Sequence, residues 1–210
     1  MNKIIITINR ECGSRGGRIA HLLGENLGLK VYDRLMLDSI AEKFVMTVEH
    51  IERVKAQKTN WWSDFCRFYQ QFGAVSYSPG NKSEVTPIKI YNAEARLLQE
   101  LAEKDSCIII GRAGFHIFRE NPNALHLLII ADHEARIKNI AQRQNLSYED
   151  AAAVVDKVDR ERDTFVKNVT GTSRYDARNY NFTLNVTGLQ PEKVAMFLAE
   201  QIRHKMEFNK

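Results

Sequence analysis

Three arginines and three glycines fall between positions 10 and 18: Arg10, Gly13, Arg15, Gly16, Gly17 and Arg18, with Ser14 among them. A guanidinium grips phosphate oxygens in a bidentate fork. A glycine-rich turn that opens into a helix aims unpaired backbone N–H groups and the positive end of the helix dipole at one point. The chemistry these residue types fit is the holding of a nucleotide's phosphates. A second set lies late in the chain, where Arg160 and Arg162 are interleaved with Asp156, Asp159 and Asp163, and where Arg174 and Arg178 follow in the loop 171–179. A phosphoryl group in flight spreads charge over its oxygens, and positioned cations stabilise it. Taken alone, the same residues describe a glycine turn kept for packing and a solvated, salt-bridged helix face.

The elements that must position these side chains are legible from periodicity. Ile4–Ile8 is an apolar run, and Ile19, Ala20, Leu22 and Leu23 recur at helical spacing behind the turn, so the stretch reads as strand, turn, helix, with the helix ending near Asn26 and Gly28 at its C-cap. Further strands are expected at 30–32, 106–110, 126–131 and 181–186, and helices at 35–44, 48–58, 88–104 and 115–119. Asp132 is expected to cap a helix that carries Arg136 and Arg143 on one face, and Ser147 with Asp150 opens another. The alternation predicts an α/β fold with a five-stranded parallel sheet flanked by helices. Arg112 follows the buried strand 106–110, where ligands of open sheets gather beyond the strands' carboxyl ends.

Residues 59–87 have a different character. Trp61, Phe65, Phe68, Tyr69 and Phe72 recur at three- and four-residue steps. This face is read either as packing onto the main domain or a dimer mate, or as a lid over substrate, and Pro79-Gly80-Asn81 marks a loop.

Composition narrows the function classes. The 210 residues suit one core with a small appended subdomain; 44% hydrophobic and 27% charged content is that of an ordinary globular protein, and a net charge of +4 suits anionic small molecules. No apolar run is long enough for a bilayer and no signal-peptide pattern opens the chain, so a cytoplasmic protein is expected. Cys12, Cys66 and Cys107 are odd in number and far apart, which argues against a zinc site or a disulfide framework. The acidic residues interleaved through 149–163 argue against nucleic acid as a partner.

With these residues in place, the chain resembles the cytidylate kinase-like family, a branch of the P-loop nucleoside-monophosphate kinases. The matching segments are ITINRECGSRGGRIA with Tyr32–Arg34, IIIGRAG at Ile108–Gly114, RIKNIAQRQNLS at Arg136–Ser147, VVDKVDRERDTF at Val154–Phe165 and NYNFTLNVTGL at Asn179–Leu189. The resemblance implies a three-layer P-loop NTPase-like fold over 1–210, a helical acceptor-binding insertion at 45–90 and a lid-like helix and loop at 147–179. It implies that ATP with Mg²⁺ donates a phosphoryl group to a nucleoside monophosphate, CMP or dCMP first. Arg10, Gly13, Ser14, Arg15, Gly16, Gly17, Arg18 and Arg143 would bind the donor phosphates; Asp33, Arg34, Arg112 and Asp159 would bind the acceptor; Arg18, Arg160 and Arg162 would be catalytic. The segment 59–77 would be the surface of any homodimer.

The turn departs from the family pattern. Gly16 stands where true cytidylate kinases carry their phosphate-binding lysine, Arg18 where they carry a metal-binding hydroxyl, and Arg15 where they carry a glycine. Arg18 is then the expected substitute for the missing charge, and Ser14 is the hydroxyl within reach of Mg²⁺. A nucleotide-binding regulatory protein with weak or no kinase activity is the alternative reading.

Overall fold

A computed structural model describes residues 3–33 and 87–208. Five short strands form one parallel sheet in the order β2-β3-β1-β4-β5, with β1 Ile5–Arg10, β2 Lys30–Tyr32, β3 Cys107–Ile110, β4 Ala124–Ile130 and β5 Phe182–Asn185. The helices are α1 Gly16–Leu27, α2 Pro87–Lys104, α3 Gly114–Ile117, α4 His133–Gln144, α5 Tyr148–Thr170 and α6 Pro191–Phe208, with a 3₁₀ turn at Ala177–Asn179. The central strand β1 pairs with β3 from Ile5↔Cys107 to Ile8↔Ile110 and with β4 from Ile5↔Ala124 to Arg10↔Ile129. Chain connections through helices are what a parallel sheet requires, and helices on both faces explain why its strands are near-continuous apolar runs.

The pleat divides the core in two. Ile6, Ile8, Ile108, Ile110, Leu127 and Ile129 face α1 and α6, whose Ile19, Leu23, Val194, Leu198 and Ile202 complete that layer. Ile5, Cys107 and Ile109 face α2 through Leu97, Leu98 and Ala102. The expected α/β architecture and five parallel strands are therefore present.

Several local expectations are corrected. The first strand runs to Arg10, which makes Arg10 the last residue of β1 rather than part of the turn. The fourth begins at Ala124, and the helix expected at 115–119 is a single turn, Gly114–Ile117. Asp132 stands at the N-cap of α4 but makes no side-chain cap; its carboxylate accepts a hydrogen bond from Asn185 Nδ2 at 3.1 Å, which ties the ends of β4 and β5. Ser147 caps α5 as expected, its Oγ accepting from the Asp150 N–H at 3.0 Å. Helices at 35–44 and 48–58, the aromatic segment 59–77, the loop at 79–81 and Arg34 lie outside the described residues.

One half-buried histidine gives a stability prediction. His126 on β4 lies with its Nδ1 2.8 Å from Thr7 Oγ1, and burial, with a smaller push from Lys205, lowers its imidazole to about 4. The unfolded chain takes up a proton near 6.5 that the folded protein accepts only near 4, so stability is full above pH 6.5 and falls as the pH drops through that window. In urea melts between pH 7 and pH 4, His126→Gln is expected to flatten this slope by about 1–2 kcal/mol, the ring being partly open to solvent. Equal slopes in the two proteins would contradict the burial account.

Candidate functional site

The glycine turn sits where β1 ends between its two parallel neighbours, at the carboxyl edge of the sheet. Gly13 is left-handed, with φ 80°, and a Cβ there would strike the backbone carbonyl of Arg136, so glycine is needed both for conformation and for the close approach of α4. Helix α4 grips the turn from that side: Asn139 Nδ2 donates to the Gly13 carbonyl at 2.9 Å and Arg136 Nη1 to the Cys12 carbonyl at 3.2 Å. Arg15, also left-handed at φ 62°, is exposed, and with Arg143, Gly13 and Asn139 it lines a groove of about 240 Å³.

Asp159 is the hub of the site. One carboxylate oxygen accepts from the Cys12 N–H at 2.9 Å, and the other from Arg136 Nη1 at 2.5 Å. Arg174 and Arg162 stand 3.7 and 3.8 Å from it. A single charge thus joins the turn, α4, α5 and the loop 171–179. The helix α5 aims it: Val155, Asp159, Arg162 and Val166 follow i, i+4, i+7, i+11 and form the inward stripe, its two valines fully covered.

Four guanidinium groups converge beside this hub. Arg162 Nη1 and Arg174 Nη2 both donate to the carbonyl of Arg10, at 3.3 and 2.7 Å. The Arg10 side chain reaches across to Gly111, the residue before Arg112. Burial first, then Arg162, Arg174 and Arg112, push the Arg10 guanidinium down to about 9, with Asp33 opposing them. Burial also lowers Arg162. Arg174 is 0% exposed, and its Nε and Nη1 have no hydrogen-bond partner among the described residues. Two buried donors left unsatisfied in a field of like charge are costly, and an oxyanion relieves both penalties at once. The loop carrying Arg174 is fixed from behind: Tyr180 donates its hydroxyl to the Arg174 carbonyl at 2.7 Å, and Asn9 of β1 donates to Tyr180 at 2.7 Å.

The fourth arginine is placed by a strained turn. Gly111, Arg112 and Ala113 are left-handed in succession, with φ 77°, 54° and 50°. For each non-glycine residue this conformation costs about 1–2 kcal/mol. Packing overrides it, because Gly114 lies against Thr7 and Arg112 Nη1 donates to the buried Glu94 at 2.8 Å. Strain of this kind clusters at functional sites.

Of the residues read from sequence, the structure brings together Arg10, Arg112, Asp159 and Arg162, with Asp33 close to Arg10. Gly13 and Gly16 shape the turn, Gly17 has open space around it, and Arg143 lies along the groove beside the turn. Arg18 is elsewhere: 59% exposed, it faces Glu192 of α6 at 3.7 Å, because α1 turns positions 16, 19, 20, 23 and 24 inward and 18 outward. Arg160 is exposed, about 200° around the helix from Arg162. Ser14 is buried; its hydroxyl donates to the Glu11 carbonyl at 3.0 Å and accepts from the Gly16 N–H at 3.3 Å. It does not fit a ligand of Mg²⁺, and among the described residues no group of three or more His, Cys, Asp or Glu could hold one.

Sequence reasoning left Arg136 and Glu94 out of the site, and named Arg174 only as one cation of the loop 171–179. Glu94 carried a signal, a carboxylate on the apolar stripe Tyr91, Leu97, Leu98 of α2, where a buried charge demands a partner. Nothing local marked Arg174 as buried.

The fold is a three-layer α/β architecture with four arginines gathered at the carboxyl edge of its sheet. The family model for the cytidylate kinase-like family matches residues 5–188, and the chain belongs to that family. Among curated proteins it is similar to the cytidylate kinase of Thermoplasma acidophilum, at 22% identity over 121 residues that span 57% of this chain and 64% of that relative. An uncharacterized protein from Eubacterium ventriosum has a similar structure, with TM-score 0.68 and 21% identity, covering 97% of this chain and 99% of that one. The shikimate kinase of Acinetobacter baumannii, solved in complex with shikimate, shares the fold with TM-score 0.51 and 12% identity, covering 97% and 95%. None of the helices among the described residues is long and apolar enough to cross a membrane.

Proposed function

We propose that this protein is a phosphotransferase that moves the γ-phosphoryl group of ATP to a nucleoside monophosphate, with CMP or dCMP as the favoured acceptor. The observation that carries the reading is the convergence of Arg10, Arg112, Arg162 and Arg174 at the carboxyl edge of the sheet, with two buried donors of Arg174 unsatisfied. Family membership supports the reaction class and the acceptor.

In this reading an acceptor phosphate oxygen forms the new bond to the γ-phosphorus. The bond to the bridging oxygen breaks, and its electron pair stays with ADP. The chain's part is positioning and electrostatics. Arg112, braced by Glu94, holds the acceptor phosphate, and Asp33 lies on the acceptor side. The turn and α1 present backbone N–H groups to the donor. Arg162 and Arg174 stabilise the charge in transfer, both indexed to the Arg10 carbonyl. Asp159 orients rather than binds, since both of its oxygens are already engaged.

A coupled ADP-release assay over a panel of nucleoside monophosphates tests this; turnover is expected with CMP or dCMP. A folded protein that turns over no acceptor rejects the kinase reading. The second reading, a regulatory protein that binds nucleotide without chemistry, is favoured by the outward placement of Arg18 and the absence of a lysine in the turn. It predicts calorimetric binding of ATP or CMP with no product.

A further inference from the structure

A phosphate-binding turn between strand and helix ordinarily carries a lysine at the head of the helix, reaching the outer phosphates. Here α1 opens on Gly16 and Gly17, and the structure shows what fills the space a side chain would take. A Cβ on Gly16 would lie 2.6 Å from the Cβ of Arg10 and 3.2 Å from its Cγ. At its far end the same side chain lies against Gly111, where a Cβ would collide with Nη1 of Arg10. Arg10 therefore runs along a corridor with a glycine at each end, and a side chain at 16 would strike its Cβ, an atom that cannot swing aside. No hydrogen bond from the Arg10 guanidinium is made among the described residues, although Arg162, Arg174 and Arg112 surround it.

We propose that Arg10, delivered from the end of β1, replaces the helix-borne lysine and binds the outer phosphate oxygens of the donor, so that Gly16 is the mark of a relocated cation rather than of a lost one. The assignment rests on the phosphotransferase reading for its role in turnover, but not for its role in binding. It explains why the turn can dispense with a lysine, and why Arg18, on the outer face of α1, is not the substitute. A fork with two parallel donors also replaces a point charge, which favours a planar pair of oxygens over a single one.

The test measures binding of inorganic tripolyphosphate and of ATP to the full chain by calorimetry, with thermal melts as the check on folding. Arg10→Gln is expected to weaken tripolyphosphate binding about 10- to 100-fold, and Arg10→Lys, which keeps the charge, by less than tenfold. Gly16→Ala serves if Arg10→Gln does not fold: its methyl displaces Arg10, and a loss of about tenfold or more is expected. Wild-type affinity in Arg10→Gln, or in Gly16→Ala, overturns the assignment. So does a loss that appears in Arg18→Gln but not in Arg10→Gln. A wild type that binds tripolyphosphate through Arg10 yet turns over no acceptor rejects the kinase reading and leaves the assignment standing; turnover unaffected by Arg10→Gln does the reverse.

Discussion

Asp159→Ala is expected to lower the unfolding free energy by about 3–5 kcal/mol, the range for removing one partner of a buried ion pair. The carboxylate is 12% exposed and faces Arg136, 9% exposed, and Arg174, 0% exposed, so its loss strands two buried cations beside Arg162. It also frees the Cys12 N–H, and with it the position of the glycine turn. A urea titration measures the change; a loss under about 1 kcal/mol would mean that the hub is incidental. An oxyanion ligand should restore part of the lost stability by supplying the missing negative charge.

Arg174→Met should separate stability from function. Methionine fills a similar volume without a charge, relieves the repulsion of Arg174 with Arg10 and Arg162, and leaves Asp159 still paired with Arg136 and Arg162. The main-chain bonds from Asn9 and Tyr180 to residue 174 do not depend on its side chain. The variant is therefore expected to melt at or above the wild-type temperature in the absence of anions. It is also expected to lose most of the stabilisation that pyrophosphate gives the wild type. In the phosphotransferase reading kcat falls about 10²–10³-fold, the scale for removing one preorganised donor aimed at developing charge. Paired melting curves with and without pyrophosphate check the first claim, and steady-state kinetics the second. A destabilised variant with unchanged kcat would mean that Arg174 is a structural residue alone.

The two variants rest on features that differed in how well the sequence showed them. The strands were plain because a sheet buried on both faces writes unbroken apolar runs, as at Cys107–Ile110 and Ala124–Ile130. The turn was plain because three glycines interrupt a strand and a helix in quick succession. Arg162 was readable from its place on the stripe with Val155, Asp159 and Val166. The outward position of Arg18 was also readable, since it falls off the stripe of Ile19, Ala20 and Leu23; analogy with the lysine-bearing turn pointed the other way. Arg174 was not. Its burial follows from Asn9, Tyr180 and Asp159, which are distant in sequence, and a run of glycine, serine and arginine reads locally as surface. The Asp132 cap failed for a similar reason, its carboxylate being taken by Asn185 from another strand.

The central claim is that four guanidinium groups form one seat for phosphate oxygens. A crystal structure grown with a non-hydrolysable ATP analogue and CMP tests it most directly. Phosphate oxygens are expected within about 3 Å of Nε and Nη1 of Arg174, hydrogen-bond distance, with Arg10, Arg112 and Arg162 around them. Nucleotides bound with their phosphates elsewhere, and those two nitrogens still without a partner, would contradict it.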